Sequence, residues 1–139
     1  MLELAKECKK LLSFTHVSTA YVNSNRTGFI EEKIYDLPGV SDPEEEIARI
    51  QKLSPQFISE NEMKLIHKYP NTYTFTKSMA ERMLKKNSAG LKITIIRPSI
   101  IISCYEEPLC GWTETLAAAG GITLTAALGL LRNIQVDVS

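Results

Sequence analysis

The sequence predicts an α/β fold built on a parallel sheet. Three observations carry that reading. Two β-prone runs, Phe14–Ala20 and Leu91–Ile96, stand far apart in the chain. The residues between them are punctuated as helices, with capping side chains followed by proline or by an amphipathic run. Six of the ten residues from Leu91 to Ile100 are Leu, Ile or Pro, a density that suits a strand buried on both faces, as parallel strands are.

Leu2 to Leu12 reads as an amphipathic helix, with Leu4, Cys8 and Leu11/Leu12 on one stripe and Glu and Lys opposite. Phe14–Ala20 follows as a mostly buried strand that ends in two adjacent hydroxyls, Ser18 and Thr19. Asn23–Gly28 is turn chemistry, and Ile30–Val40 is irregular up to Pro38-Gly39. A helix then starts with Asp42 as N-cap, Pro43 at the first helical position and Glu45 where a capping-box acid sits. Ser54-Pro55 repeats the signal for a second helix from Pro55 to about His67, closed off by Pro70. Asn71 or Thr72 caps a third helix whose buried stripe is Phe75, Met79, Ala80, Met83 and Leu84, with Gly90 at its stop. Leu91–Ile96 is the second strand, which Ile100–Ile102 would extend. The Ala-, Gly-, Leu- and Thr-rich tail from Leu116 to Leu131 reads as a loop and helix covering the sheet, too short for a bilayer span.

Composition narrows the function classes. A chain of 139 residues, 44% apolar and 23% charged, has the make-up of one ordinary globular domain. Lys+Arg and Asp+Glu both number 16, which argues against broad attraction to nucleic acid or an anionic surface. Cys8, Cys104 and Cys110 offer neither metal-ligand spacing nor an even set for disulfides, so reduced thiols in an intracellular compartment are expected. His16, inside a strand, and His67, at a helix end, read as core or cap residues, and no metal site is expected. Glu3, Lys6, Glu7, Lys9 and Lys10 make the N-terminus unlike a signal peptide.

The chemistry sits in Tyr73-Thr74-Phe75-Thr76-Lys77. Tyr and Lys four residues apart on a helix share a face. A free Tyr, with a pKa of about 10, is too weak an acid for efficient proton donation near neutral pH. A fixed ammonium favours the phenolate, by roughly 4 kcal/mol at about 4 Å and an effective dielectric of about 20.

Around that pair the chain reads His16-Val17-Ser18-Thr19-Ala20-Tyr21-Val22-Asn23, Ile30-Glu31-Glu32-Lys33-Ile34-Tyr35, Pro70-Asn71-Thr72-Tyr73 and Ile96-Arg97-Pro98-Ser99-Ile100, then Glu107-Pro108 and Gly111-Trp112. In this order the motifs resemble the extended short-chain dehydrogenase/reductase superfamily, and within it the alcohol-forming fatty acyl-CoA reductases, also called male-sterility-type reductases. The resemblance covers about residues 1–130. It implies a partial Rossmann-like, doubly wound parallel sheet. None of the seven glycines forms the Gly-rich phosphate turn of such a fold. Residues 1–139 are therefore expected to be a partial NAD(P)-binding reductase domain, a fragment of a longer chain that lacks the N-terminal half of the domain.

By resemblance, the activity is NADPH-dependent reduction of a long-chain fatty acyl-CoA, through an aldehyde, to a primary alcohol. The same resemblance gives Tyr73 as the general acid, Lys77 as its electrostatic and ribose-binding partner, and Thr19, in preference to Ser18, as the hydroxyl that polarises the carbonyl. Tyr73, Lys77, Pro98, Ser99 and Ile100 would line the cofactor. Arg97 reads either as a ligand-side residue or as a buried ion-pair partner, and Glu106, Glu107 and Trp112 as a substrate-side loop. The resemblance further implies an intracellular protein, with the parent on a peroxisomal or endoplasmic-reticulum membrane through parts outside this chain, and it is compatible with a homo-oligomer. Within the superfamily, a thioester reductase or a sterol- or sugar-nucleotide-type enzyme also fits these motifs. A truncated product that only binds a partner is the non-catalytic reading.

Overall fold

The computed structural model describes residues 1–88, 90–116 and 119–135. They fall into two compact units, Met1–Ser99 and Ile100–Ser139. The first unit runs α1 (Leu2–Glu7), β1 (Phe14–Val17), a 3₁₀ turn (Ala20–Asn23), α2 (Pro43–Gln51), α3 (Pro55–Leu65), α4 (Thr72–Asn87) and β2 (Ile93–Ile96). The second holds α5 (Ala119–Ala127).

The three longer helices of the first unit start where their caps stand. Asp42 accepts the Glu44 amide at 2.8 Å, Ser54 the Phe57 amide at 3.2 Å and Asn71 the Thr74 amide at 2.9 Å. Each satisfies an N–H that the first helical turn leaves without a backbone partner. Asn71, not Thr72, is thus the cap of α4. Pro43 and Pro55 occupy the first helical positions of α2 and α3.

β1 and β2 pair in parallel, Phe14 against Ile93 through Val17 against Ile96. Both strands are shorter than the sequence predicts. β1 ends at Val17 because the chain turns at Ser18–Thr19 into the 3₁₀ helix that Thr19 caps. Ile100–Ile102 do not extend β2, since Pro98 has no N–H to donate to a ladder. Burial is one-sided. Phe14, His16, Ile93 and Ile95 are half-buried, whereas Thr15, Val17, Thr94 and Ile96 are exposed. The apolar density of Leu91–Ile100 predicts burial on both faces; among the described residues one face of the sheet is exposed. α1 also stops early, at Glu7 rather than Leu12. It buries only Ala5, and six residues with so little packing cannot propagate a helix.

The core is Leu37, Ile66, Tyr69, Phe75 and Met79, with Val40, Ile47 and Ile50 packed against it. Leu37 shows that the irregular 30–40 segment contributes to the interior. The predicted stripe of α4 is apolar, but its buried residues are Thr74, Phe75, Ser78, Met79, Glu81, Arg82 and Leu84. Ala80 and Met83 fall outside that set: Met83 is half-buried, and Ala80 is likewise only partly covered. The polar members are partnered inside: Tyr69 Oη and Ser78 Oγ lie 2.5 Å apart, and Arg82 donates to both. Lys86 pairs with Asp42 and Glu44, and the Asn87 amide donates to Glu44, tying α4 to the start of α2. Between β1, α2 and α4 lies an apolar groove of about 890 Å³, lined in part by Phe14, His16, Ile47, Phe75, Met79 and Met83.

In the second unit the backbones of Cys104 and Trp112 close a loop, and Thr123 and Thr125 donate to carbonyls one turn back in α5. Among the described residues no helix is long and apolar enough to cross a membrane.

Candidate active site

The site lies at the C-terminal ends of β1 and β2, facing the first two turns of α4. Ligands in open α/β sheets bind at this end of the strands. Ser18 and Thr19 follow β1 directly, each 3% exposed. Thr19 is extended, and its Oγ1 accepts the Tyr21 amide at 3.3 Å, which caps the 3₁₀ turn. That bond uses an acceptor lone pair and leaves the Thr19 O–H available as a donor. The Ser18 Oγ, by contrast, is buried without a hydrogen-bond partner among the described residues.

Capping by Asn71 places Tyr73 in the first turn of α4 and Lys77 one turn later on the same face. Tyr73 is half-exposed, and among the described residues its hydroxyl makes no hydrogen bond. The Lys77 Nζ lies 5.9 Å from the Tyr73 ring centroid. It donates to the Val17 carbonyl at 3.2 Å, one residue before Ser18. The ammonium therefore stands between the phenol and the strand end that carries the two hydroxyls.

Pro98 joins from the other strand. Its carbonyl accepts the Ala20 amide at 2.8 Å, and the Ser18 amide donates to the Ile96 carbonyl at 2.7 Å. The segment after β2 is thus laid beside the Ser18–Ala20 turn by backbone bonds. Ser99 is exposed at the end of this unit, and Ile100 opens the second unit. The bonds and contacts join Lys77 to Val17, the residue before Ser18-Thr19, join Ala20 to Pro98, and set the Tyr73 ring beside the Lys77 ammonium. No hydrogen bond among the described residues links the Tyr73 hydroxyl to Ser18 or Thr19.

Of the two roles open to Arg97, the structure gives it that of ion-pair partner. Its Nε donates to Glu81 Oε1 at 2.9 Å and its Nη2 to Glu81 Oε2 at 2.6 Å, a two-pronged pair with Glu81 only 1% exposed. A further bond reaches the Lys33 carbonyl at 3.0 Å. The sequence does not single out Glu81. Its one available signal is spacing, one turn beyond Lys77 on the face that meets the sheet.

His16 sits inside β1 with its Nε2 buried and unpartnered among the described residues. Burial, reinforced by the nearby Lys77 ammonium, holds its pKa below the ordinary histidine value. His67 takes a structural role, lying 2.9 Å from Glu46 and stacking on Phe75.

Comparison with known proteins places this geometry in context. A family model of NAD-binding domains described as male sterility protein matches residues 1–139. Fatty acyl-CoA reductase 1 of Xenopus laevis is 38% identical over 137 residues, covering 99% of this chain and 26% of that protein. Fatty acyl-CoA reductase 2 of Homo sapiens is 38% identical over 135 residues, covering 97% of this chain and 26% of that protein. Fatty acyl-CoA reductase 1 of Gallus gallus is 36% identical over 137 residues, covering 99% of this chain and again 26% of that protein. The chain therefore spans about a quarter of these relatives. No solved structure matches it.

Proposed function

The chain belongs to the male sterility protein family of NAD-binding domains, and from that premise we propose that it is the catalytic second half of a reductase domain in a longer, alcohol-forming fatty acyl-CoA reductase. The observation that carries the proposal is the seating of Lys77. Its ammonium lies beside the Tyr73 ring and bonds the strand carbonyl that precedes Ser18-Thr19.

The donor set fits the nicotinamide end of a dinucleotide. Lys77 supplies an ammonium and Tyr73 a hydroxyl, the two groups suited to ribose hydroxyls. The Pro98–Ser99 backbone, fixed against Ala20, offers the wall beside them. The pyrophosphate would be held elsewhere in the parent, because this sequence contains no Gly-rich turn. We take NADPH as the form of the cofactor; when bound, it would supply one hydride for each of two successive reductions.

In the first reduction the thioester carbonyl carbon would take the hydride supplied by the bound cofactor, and the proton placed on its oxygen would pass to sulfur as the C–S bond breaks, releasing coenzyme A as the thiol and leaving an aldehyde. The second turns that aldehyde into a primary alcohol. Tyr73 donates its phenolic proton to the carbonyl oxygen as negative charge builds there. Thr19 donates its O–H to the same oxygen, and both groups act in a partly dry pocket where such bonds count most. Lys77, bonded to the Val17 carbonyl beside the phenol ring, stands where its remaining N–H groups would hold the ribose.

Incubating the purified parent with a long-chain acyl-CoA and either NADPH or NADH tests the reading. The expected result is primary alcohol with two NADPH consumed per acyl chain, and slower turnover with NADH. Absence of any alcohol or aldehyde, in a protein that is folded and binds NADPH, would overturn it.

A further inference from the structure

We propose that the Glu81–Arg97 pair is a positioning device, which fixes the Pro98–Ser99 turn against the helix that carries Tyr73 and Lys77. The inference rests on the reductase reading and assigns it two further residues.

Four links form a closed ring around the site. Lys77 on α4 bonds the Val17 carbonyl of β1. Three residues on, the Ala20 amide bonds the Pro98 carbonyl. Pro98 is covalently joined to Arg97, and Arg97 grips Glu81 through two hydrogen bonds. Glu81 returns to α4 one turn past Lys77. Helix, first strand end and second strand end are thereby locked to one another on both sides of the catalytic pair. The third bond of Arg97, to the Lys33 carbonyl, fixes the guanidinium plane from the 30–40 segment.

Stability alone is a poor reason for such a pair. Taking a carboxylate and a guanidinium out of water costs about as much as their attraction returns, and apolar residues of similar volume commonly replace buried pairs without loss. What apolar residues cannot reproduce is a planar, two-pronged fork that defines both distance and angle. Arg97 is also adjacent in the chain to the segment that must lie at a set height beside the cofactor. Small displacements of groups that position a reacting carbon reduce rate steeply, by as much as about a hundredfold per ångström.

The test separates positioning from packing in the full-length parent. NADPH affinity is read by fluorescence titration, unfolding by thermal melt, and kcat and KM by alcohol formation. Glu81→Gln should weaken NADPH binding about tenfold, equivalent to about 1.4 kcal/mol. The double variant Glu81→Met with Arg97→Leu should recover the melting temperature but not the affinity; recovery of both would overturn the proposal. Hydrogen exchange on the unmodified parent guards against variants that fail to fold. NADPH should slow exchange in the Ile96–Ser99 segment and in the α4 turn around Glu81, and an unchanged rate at both would also overturn it. A parent that binds no nicotinamide nucleotide at all would sink the reductase reading itself, a result distinct from either of these.

Discussion

Among the described residues the half-exposed Tyr73 hydroxyl has no hydrogen-bond partner, while the ammonium beside it is already committed to the Val17 carbonyl. Removing the phenolic oxygen should therefore abolish proton donation and leave the lysine in place. In the parent, Tyr73→Phe should lower kcat by about 10²–10⁴-fold, the usual worth of a positioned acid, while NADPH affinity falls by no more than about tenfold, the worth of one ribose hydrogen bond. Turnover equal to wild type would rule out Tyr73 as the acid. The two neighbouring hydroxyls are separated by their hydrogen bonds. Among the described residues Thr19 keeps a free O–H while its oxygen caps a turn, and Ser18 is buried with nothing to bond. Thr19→Val should lose most turnover and Thr19→Ser should keep it. Ser18→Ala should retain turnover and melt no lower than wild type, because deleting an unsatisfied buried hydroxyl relieves a penalty of about 1–3 kcal/mol. The reverse pattern would transfer the role to Ser18. The sequence places both hydroxyls at the strand end, but their difference comes from the turn they enter.

Among the elements, the helices are the most legible, because their starts are written in single side chains. Asp42, Ser54 and Asn71 each accept an amide of the first turn. Asn71 also sets where α4 begins, and with it the orientation of Tyr73. Asn71→Ala should cost about 1 kcal/mol, measurable as a lowered urea midpoint. Glu46, buried near the start of α2, accepts two bonds from Arg49 and lies against His67. The Arg49 bonds are the chief cause that holds its pKa down at about 2, well below the 4.5 of a free glutamate. A carboxylate with a depressed folded pKa contributes stability that is complete above its unfolded pKa and disappears as pH falls through the folded one. Urea stability should accordingly decline between about pH 4.5 and pH 2, by less than the full shift implies because the Arg49 side of the pair is open to solvent. Glu46→Gln should flatten that part of the profile; an unaltered slope would refute the assignment. The strands were less legible. Their β-branched content identifies them, yet their ends are decided by a turn at Ser18–Thr19 and by a proline, not by propensity.

At the scale of the whole molecule, a two-stranded parallel sheet with one face exposed among the described residues matches a chain that spans about a quarter of its relatives. Parallel sheets are ordinarily covered on both faces, and Val17 and Ile96 lie exposed on the uncovered one. With the Tyr–Lys–hydroxyl set present and no Gly-rich phosphate turn in its sequence, the purified 139-residue chain should consume no NADPH in the presence of a long-chain acyl-CoA. Consumption would show that the pyrophosphate site is dispensable. By itself the sequence determined the alternation of strand and helix, the caps, and the spacing that sets Tyr73 and Lys77 on one face. Those features depend on neighbours within one helical turn or one strand. Only the tertiary structure decided which carbonyl holds Lys77, where Pro98 docks, and that Arg97 is spent on Glu81. The partners of Lys77 and Arg97 lie 60 and 16 residues away along the chain, and no local period encodes such contacts.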